Sequence, residues 1–248
     1  MKTKKGQIAH ELREAISAGQ YPPGTAIPSI PELMSSYGVA RDTVRDAISL
    51  LMHEGIVIPK RGVGTIVRDL DPVGLTYSGR GKARTWADQV GAGEDTVVVT
   101  EWVAADVDIA HRLNIEPGTP VVHRVRHFQR GQGIAQITDQ WIPQTMADAI
   151  KEAGGGDLAS SEHRPDRPGG KNLFELLADA GHAPTSTEET LGTRMPDPDE
   201  RDVMEIPPGV PVLVTHRVTD ANGTRVETTT AVGAGDRMTA KFNVDLDY

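Results

Sequence analysis

Apolar residues recur at helical spacing through the first fifty-odd positions, after which the period shortens to two. Ile8, Leu12 and Ile16, with Ala9 and Ala15, form one stripe of an amphipathic helix that ends near Gly19. Tyr21-Pro22-Pro23-Gly24 forces a turn. Ile27-Pro28 then leads into a short helix with Ser29 as N-cap, Pro31 in the first turn and Glu32 at the third helical position of a capping box. Its Leu33 and Tyr37 face inward, and Gly38 ends it. Val44, Ile48 and Leu51, with Ala47 and Met52 beside them, mark a third helix stopped by Gly55. Beyond it Ile56-Val57-Ile58 reads as a strand, Lys60-Arg61-Gly62-Val63-Gly64 as a basic turn, and Thr65-Ile66-Val67 as the returning strand. Helix, helix, tight turn, helix and hairpin is the order of a winged helix-turn-helix.

From Asp69 to Gly93 the pattern loosens into scattered glycines and polar residues around Trp86, which predicts a linker passing into a loop. The remainder contains an internal repeat. Asp106-Val-Asp108 through Ile115-Glu-Pro117-Gly118-Thr-Pro120-Val121-Val122 recurs 91 residues later as Asp197-Pro-Asp199 through Ile206-Pro-Pro208-Gly209-Val-Pro211-Val212-Leu213. Each copy predicts a short helix, a Pro-Gly turn, a strand (121–128; 212–219), a hairpin turn (130–133; 220–223) and a second strand (134–142; 225–232). Two such halves predict one antiparallel sheet with helices on one face: an α+β domain with a pseudo-twofold and a pocket where the halves meet. The expected organisation is a winged helix-turn-helix over residues 1–70, a linker and ligand loop over 71–93, and an α+β domain over 94–248.

The net charge of −9 changes meaning once divided: residues 1–68 carry +3 and the rest −12, which fits a basic nucleic-acid-facing module joined to an acidic body. The chain of 248 residues has no cysteine, which removes disulfides, thiolate metal sites and cysteine nucleophiles together. No run approaches eighteen apolar residues, and the expectation is a soluble, cytoplasmic protein with no membrane partner. No metal set or cofactor loop is visible, and no cofactor is expected.

Candidate chemistry falls in two places. In the third helix Arg41, Thr43 and Arg45 lie off the apolar face; arginine offers bidentate donors to guanine, and Ser29 and Thr43 can position phosphates. Lys60 and Arg61, with Gly62, Gly64 and Thr65, make a hairpin tip whose backbone can lie against a phosphate chain. The alternative is that Arg41 and Arg45 form solvated pairs with Asp42 and Asp46. On the first repeat strand Arg124 and Arg126 face the same side, which predicts an anion between them, or else pairing across the sheet with Glu101 or Glu227. His123 and His127 have the four-residue spacing of a helical metal site but lie on a strand, and Asp106, Asp108, Asp197 and Asp199 fit helix caps better than acid and base catalysts. Residues 154–170 are too polar and too rich in Pro and Gly to pack, and read as a pocket lid or a disordered stretch.

These residues resemble those of the GntR family of bacterial transcription regulators. The match is carried by Pro23-Gly24, Ile27-Pro28-Ser29, Gly38-Val39-x-Arg41-x-Thr43-Val44-Arg45-x-Ala47, Leu51-x-x-Glu54-Gly55 and Gly62-x-Gly64-Thr65. Residues 75–245 resemble the UTRA effector-sensing domain of the HutC subfamily, with a chorismate-lyase fold. That match rests on the doubled unit, Arg124-x-Arg126, Asn172-Leu-Phe-Glu-Leu-Leu177, Val226-Glu227 and Gly235-Asp236-Arg237. The resemblance implies base-edge and phosphate contacts by Arg45 and Thr43, Arg41 at the helix start, and Gly62 and Gly64 in the minor groove. It also implies an effector held by Arg124 and Arg126, with Thr76, Ser78 and Thr85 from the loop and Glu227 on the polar remainder. The chain departs from the family at Ala40 (usually Ser), Pro31 (usually a DNA-contacting Arg), Thr138 (commonly Glu) and Asn172 (commonly Ser). The implied function is a regulator, expected to be a repressor: a homodimer on double-stranded DNA at a palindromic operator, controlled by a small anionic effector. Two alternatives stand beside it: a repressor without ligand, whose body only dimerises, and an enzyme on the lyase fold, for which no nucleophile–base pair is visible.

Overall fold

The computed structural model describes residues 3–68, 73–78, 94–130, 133–160 and 171–243. They divide into two compact units, one of residues 1–71 with 195–211, the other of 72–194 with 212–248. Residues 195–211, which the repeat had grouped with the second domain, therefore fall with the first unit.

The first unit opens with α1 (Lys4–Ser17), α2 (Ile30–Tyr37) and α3 (Arg41–His53), followed by strands β1 (Val57–Lys60) and β2 (Gly64–Val67). The anticipated apolar stripes meet in one core: Ile8, Ala9 and Leu12 of α1, Leu33 of α2, Val44, Ala47, Ile48 and Leu51 of α3, and Val57 and Val67 of the hairpin. The capping box forms as expected, with Ser29 accepting from the Glu32 amide and Glu32 accepting from the Ser29 amide. Gly38 takes φ 60°, the left-handed turn that lets α3 start within three residues of α2. Ala40 caps α3 without a side-chain hydrogen bond. Arg13 of α1 grips Glu54, just past α3, with Nε at 2.9 Å and Nη2 at 2.6 Å, tying the first helix to the end of the third. The unit also holds the short helix of the second repeat, which Asp197 caps through a second capping box.

The second unit is built on a sheet of β4 (Glu94–Ala104), β5 (Pro120–Arg130), β6 (Gly133–Pro143), β7 (Ser186–Arg194), β8 (Val212–Ala221) and β9 (Thr224–Ala234). Among the described residues this sheet has six antiparallel strands in the order β4-β5-β6-β9-β8-β7. The order reads the same from either edge once each strand is replaced by its repeat counterpart, so the β6/β9 seam is the pseudo-twofold anticipated from the repeat. The hairpin between β8 and β9 turns through Asn222 and Gly223, both at positive φ as a two-residue primed turn requires.

Helices cover both faces, not one. Val122 packs with α5 (Gln144–Glu152) and α6 (Leu173–Asp179) through Met146, Ile150, Leu173 and Leu177. Its neighbour Val121, pointing the other way, packs with α4 (Val107–Leu113) through Ile109 and Leu113. Adjacent residues of a strand serve opposite faces, so two apolar neighbours on β5 already demanded a second layer. Two further expectations change. Residues 73–78, expected as linker, form β3 (Val73–Ser78), which pairs in parallel with β10 (Met238–Asn243). Of the stretch 154–170, expected to be too polar to pack, residues 154–160 seat Leu158 in the α5/α6 core, where its carbonyl accepts from Thr100 Oγ1 at 2.9 Å, and residues 161–170 lie outside the described residues. A single apolar residue among glycines was enough to anchor that turn. No helix among the described residues is long and apolar enough to cross a membrane.

Candidate functional site

In the first unit the core-facing stripe of α3 leaves Arg41, Asp42, Arg45 and Asp46 exposed and Thr43 half-buried. Asp46 is held by Lys5 of α1 at 3.0 Å. The expected alternative, Arg45 neutralised by Asp46, is thereby replaced by a pair between helices, and neither Arg41 nor Arg45 has an ion-pair or hydrogen-bond partner among the described residues. Both guanidiniums are available to an outside acceptor. Ser29 is committed differently: its hydroxyl donates to Glu32 Oε2 at 2.7 Å, and Ser29 holds the Glu32 carboxyl below its ordinary range. A phosphate contact there competes with the capping box.

The hairpin β1/β2 pairs Lys60 with Gly64 and turns through Arg61, Gly62 and Val63, all exposed. Gly62 at φ 80° and Gly64 at φ 116° need the freedom of glycine to bring the chain round. Thr65 is half-buried behind them. Two cations at a narrow exposed tip suit a polyanion's backbone. Val63, 55% exposed, is a part of that tip that its apolar residue type does not announce.

In the second unit the face that carries Val122 also carries a polar row crossing the whole sheet. Thr100, Arg124, Gln140, Thr229, Arg217 and Glu189, one from each strand, stand directly opposite one another in register. Directly opposed residues in an antiparallel ladder project to the same side, so their side chains share one surface. Arg124 is fully buried and Arg126, two residues along, is 7% exposed. Two buried guanidiniums on one strand face require negative charge or acceptors around them. Glu101, expected as a possible partner, lies opposite His123 on the other face and is excluded by register.

Glu227, buried next to this row, accepts from Thr219 Oγ1 and Thr229 Oγ1, both at 2.6 Å, and from Gln140 Nε2 at 3.1 Å. Thr138 is buried opposite Arg126 and accepts from Gln136 Nε2 at 3.0 Å. The Gln140 Oε1 atom is buried without a hydrogen-bond partner among the described residues. Asn172 instead caps α6: its Oδ1 accepts from the Glu175 amide at 3.0 Å. Thr76 and Ser78 lie on β3, and Thr85 lies outside the described residues. Gln140, Thr229 and Arg217 are not among the residues the sequence singles out, although moving Arg126 by the repeat offset lands on Arg217 and moving Thr138 lands on Thr229.

The opposite face has its own cluster. His123 Nε2 lies 2.8 Å from Asp139 and its ring stacks on Trp141 at 5.0 Å between centroids, while Arg112 of α4 sits over the same indole. Burial pushes the His127 imidazolium below its ordinary pKa against a partial opposing pull from Asp139. No group of three or more His, Asp or Glu among the described residues could hold a metal ion.

Compared with known proteins, residues 4–67 match the family model described as bacterial regulatory proteins, gntR family, and residues 93–239 match the UTRA domain. An HTH-type transcriptional regulator of Streptomyces coelicolor is 29% identical over 96% of this chain and 91% of its own. The mannosyl-D-glycerate transport/metabolism system repressor of Escherichia coli is 30% identical over 56% of this chain and 58% of its own. A solved GntR-family transcriptional regulator superposes with a TM-score of 0.59 at 27% identity, covering 99% of both chains.

Proposed function

The chain belongs to the GntR family of bacterial transcription regulators, with a UTRA sensor domain behind its helix-turn-helix, and from that premise we propose a homodimeric repressor whose hold on a palindromic operator is set by a small anionic effector bound along the Arg124 row. It acts in the cytoplasm. In this reading α3 enters the major groove with Arg41, Thr43 and Arg45 toward base edges and phosphates, and the tip from Lys60 to Thr65 follows the backbone. A twofold operator calls for two readers, hence two copies of the chain. The observation that carries the anionic effector is the burial of Arg124 and Arg126 side by side on one strand face, beside Thr138, Gln140 and Glu227. An effector changes DNA binding only by favouring one arrangement of the protein over another.

The test is a thermal-shift screen of the full chain against inorganic phosphate, sugar phosphates and sugar acids, beside the Arg124→Met/Arg126→Met variant, which keeps side-chain bulk. A ligand at about 100 times its dissociation constant stabilises the native state by about 2.7 kcal/mol, several degrees at this size. The expected result is a hit that disappears in the variant and alters operator footprinting by the wild type. A hit that persists in a folded variant overturns the assignment of the two arginines.

A further inference from the structure

The two halves of the sheet carry the same three-residue arrangement with different charges. In the first half Arg126 on β5 faces Thr138 on β6, and Thr138 is bonded to Gln136 two residues before it. In the second half Arg217 on β8 faces Thr229 on β9, and Thr229 is bonded to Glu227 two residues before it. All three pairs of counterparts are related by the 91-residue offset of the repeat. The outer strands break the symmetry. The register partner of Arg126 on β4 is Val97, whereas the register partner of Arg217 on β7 is Glu189. Glu189 Oε1 accepts from Arg217 Nε at 2.6 Å and Nη2 at 2.5 Å, with only 6% of the arginine side chain and 12% of the glutamate exposed. Its second oxygen is buried without a hydrogen-bond partner among the described residues. The counterpart of Arg124 is Thr215 and that of Gln136 is Glu227, so two arginines and a glutamine in the first half answer to a threonine, an arginine and a glutamate in the second.

An arginine pinned by a carboxylate through Nε and Nη2 makes the contact it would make with a phosphate or carboxylate ligand. We propose that the second half of the sheet is a copy of an anion site, filled by the chain's own Glu189, and that this internal carboxylate restricts the effector to negative charge at one end. The inference rests on the effector pocket proposed above. Arg124 and Arg217 stand level in the same row, separated by three strand spacings, about 14 Å between their backbones. Glu189 draws Arg217 outward toward β7; released from it, Arg217 could turn back toward Arg124, and a doubly anionic ligand of sugar length could then bridge them. Glu189 and Glu227 meet its second anionic group with like charge, which discriminates by repulsion and not by a missing hydrogen bond. A ligand anionic at one end, with hydroxyl or amine donors at the other, meets Gln140 and Glu227 there instead.

Glu189→Val gives β7 the residue type found at the matching place on β4, and Glu189→Gln keeps the shape while removing the charge. Each is measured by calorimetry and thermal shift against inorganic phosphate and a hexitol 1,6-bisphosphate, beside wild type and Glu189→Val/Arg217→Met. The expected result is that Glu189→Val binds the bisphosphate about tenfold or more tighter than wild type and gains a phosphate response, with both gains absent in the double variant. A Glu189 variant that folds only in phosphate also supports the proposal. Folded Glu189 variants that respond as wild type does, or gains that survive Arg217→Met, overturn it. So does a Glu189→Gln chain that stays unfolded with and without phosphate while the double variant folds. Repeating the set in the Arg124→Met/Arg126→Met background separates the two readings. A phosphate gain from Glu189→Val that persists there keeps the second subsite even where the first has failed.

Discussion

Ala40 begins α3 with its carbonyl in the helix ladder but with no side-chain oxygen for the free amides of the first turn. Ser at this place would supply one. Ala40→Ser is expected to raise stability by about 0.5–2 kcal/mol, read as a shift of the denaturation midpoint of the full chain at unchanged slope. His127 gives a residue-scale prediction of opposite kind. Its folded pKa lies below the unfolded value of about 6.5, chiefly because burial disfavours the charged ring. Its contribution to stability is therefore whole above about 6.5 and is lost as pH falls through the lower folded value. Stability should decline on acidification in that window, and His127→Gln should make the decline shallower. A profile unchanged by the substitution would show that the ring does not titrate differently in the two states. The sequence marks Ala40 as a cap position because capping is local, but the pKa of His127 depends on what covers β5.

At the scale of elements, the helix-turn-helix was almost wholly legible. Its stripes, caps and turns are local, and each of Ser29, Gly38, Val44, Ile48 and Leu51 does in three dimensions what its spacing implied. The hairpin was legible for the same reason, and its cations set a prediction. Lys60→Ala with Arg61→Ala should reduce the slope of log K against log salt for DNA binding by about 0.9 for each phosphate no longer neutralised. An unchanged slope in filter-binding or anisotropy titrations would remove the tip from the interface. By contrast β3 has no local signature. Its partner β10 lies far along the chain, and a parallel pair has no connecting turn for the sequence to announce. The second helical layer was hidden too, although the apolar pair Val121-Val122 carried its signal.

For the whole molecule, the sequence by itself determined what depends on neighbours within a few residues or on self-similarity. That covers the helical reader, the doubled strand unit with its pseudo-twofold, and the pairing of Arg124 with Arg126 on one face. Strand alternation has a period of two, so same-side residues follow from counting. Tertiary structure decided which residues share a row across strands, because register is set by pairing and by the core that each face must bury. It brought Thr100, Arg124, Gln140, Thr229, Arg217 and Glu189 into one line, gave Asp46 to Lys5, and turned Glu101 away from Arg124 toward His123. Charge in a buried row acts through its nearest neighbours at a few ångströms, where the medium screens little. Those neighbours come from strands far apart in the chain, and only folding selects them.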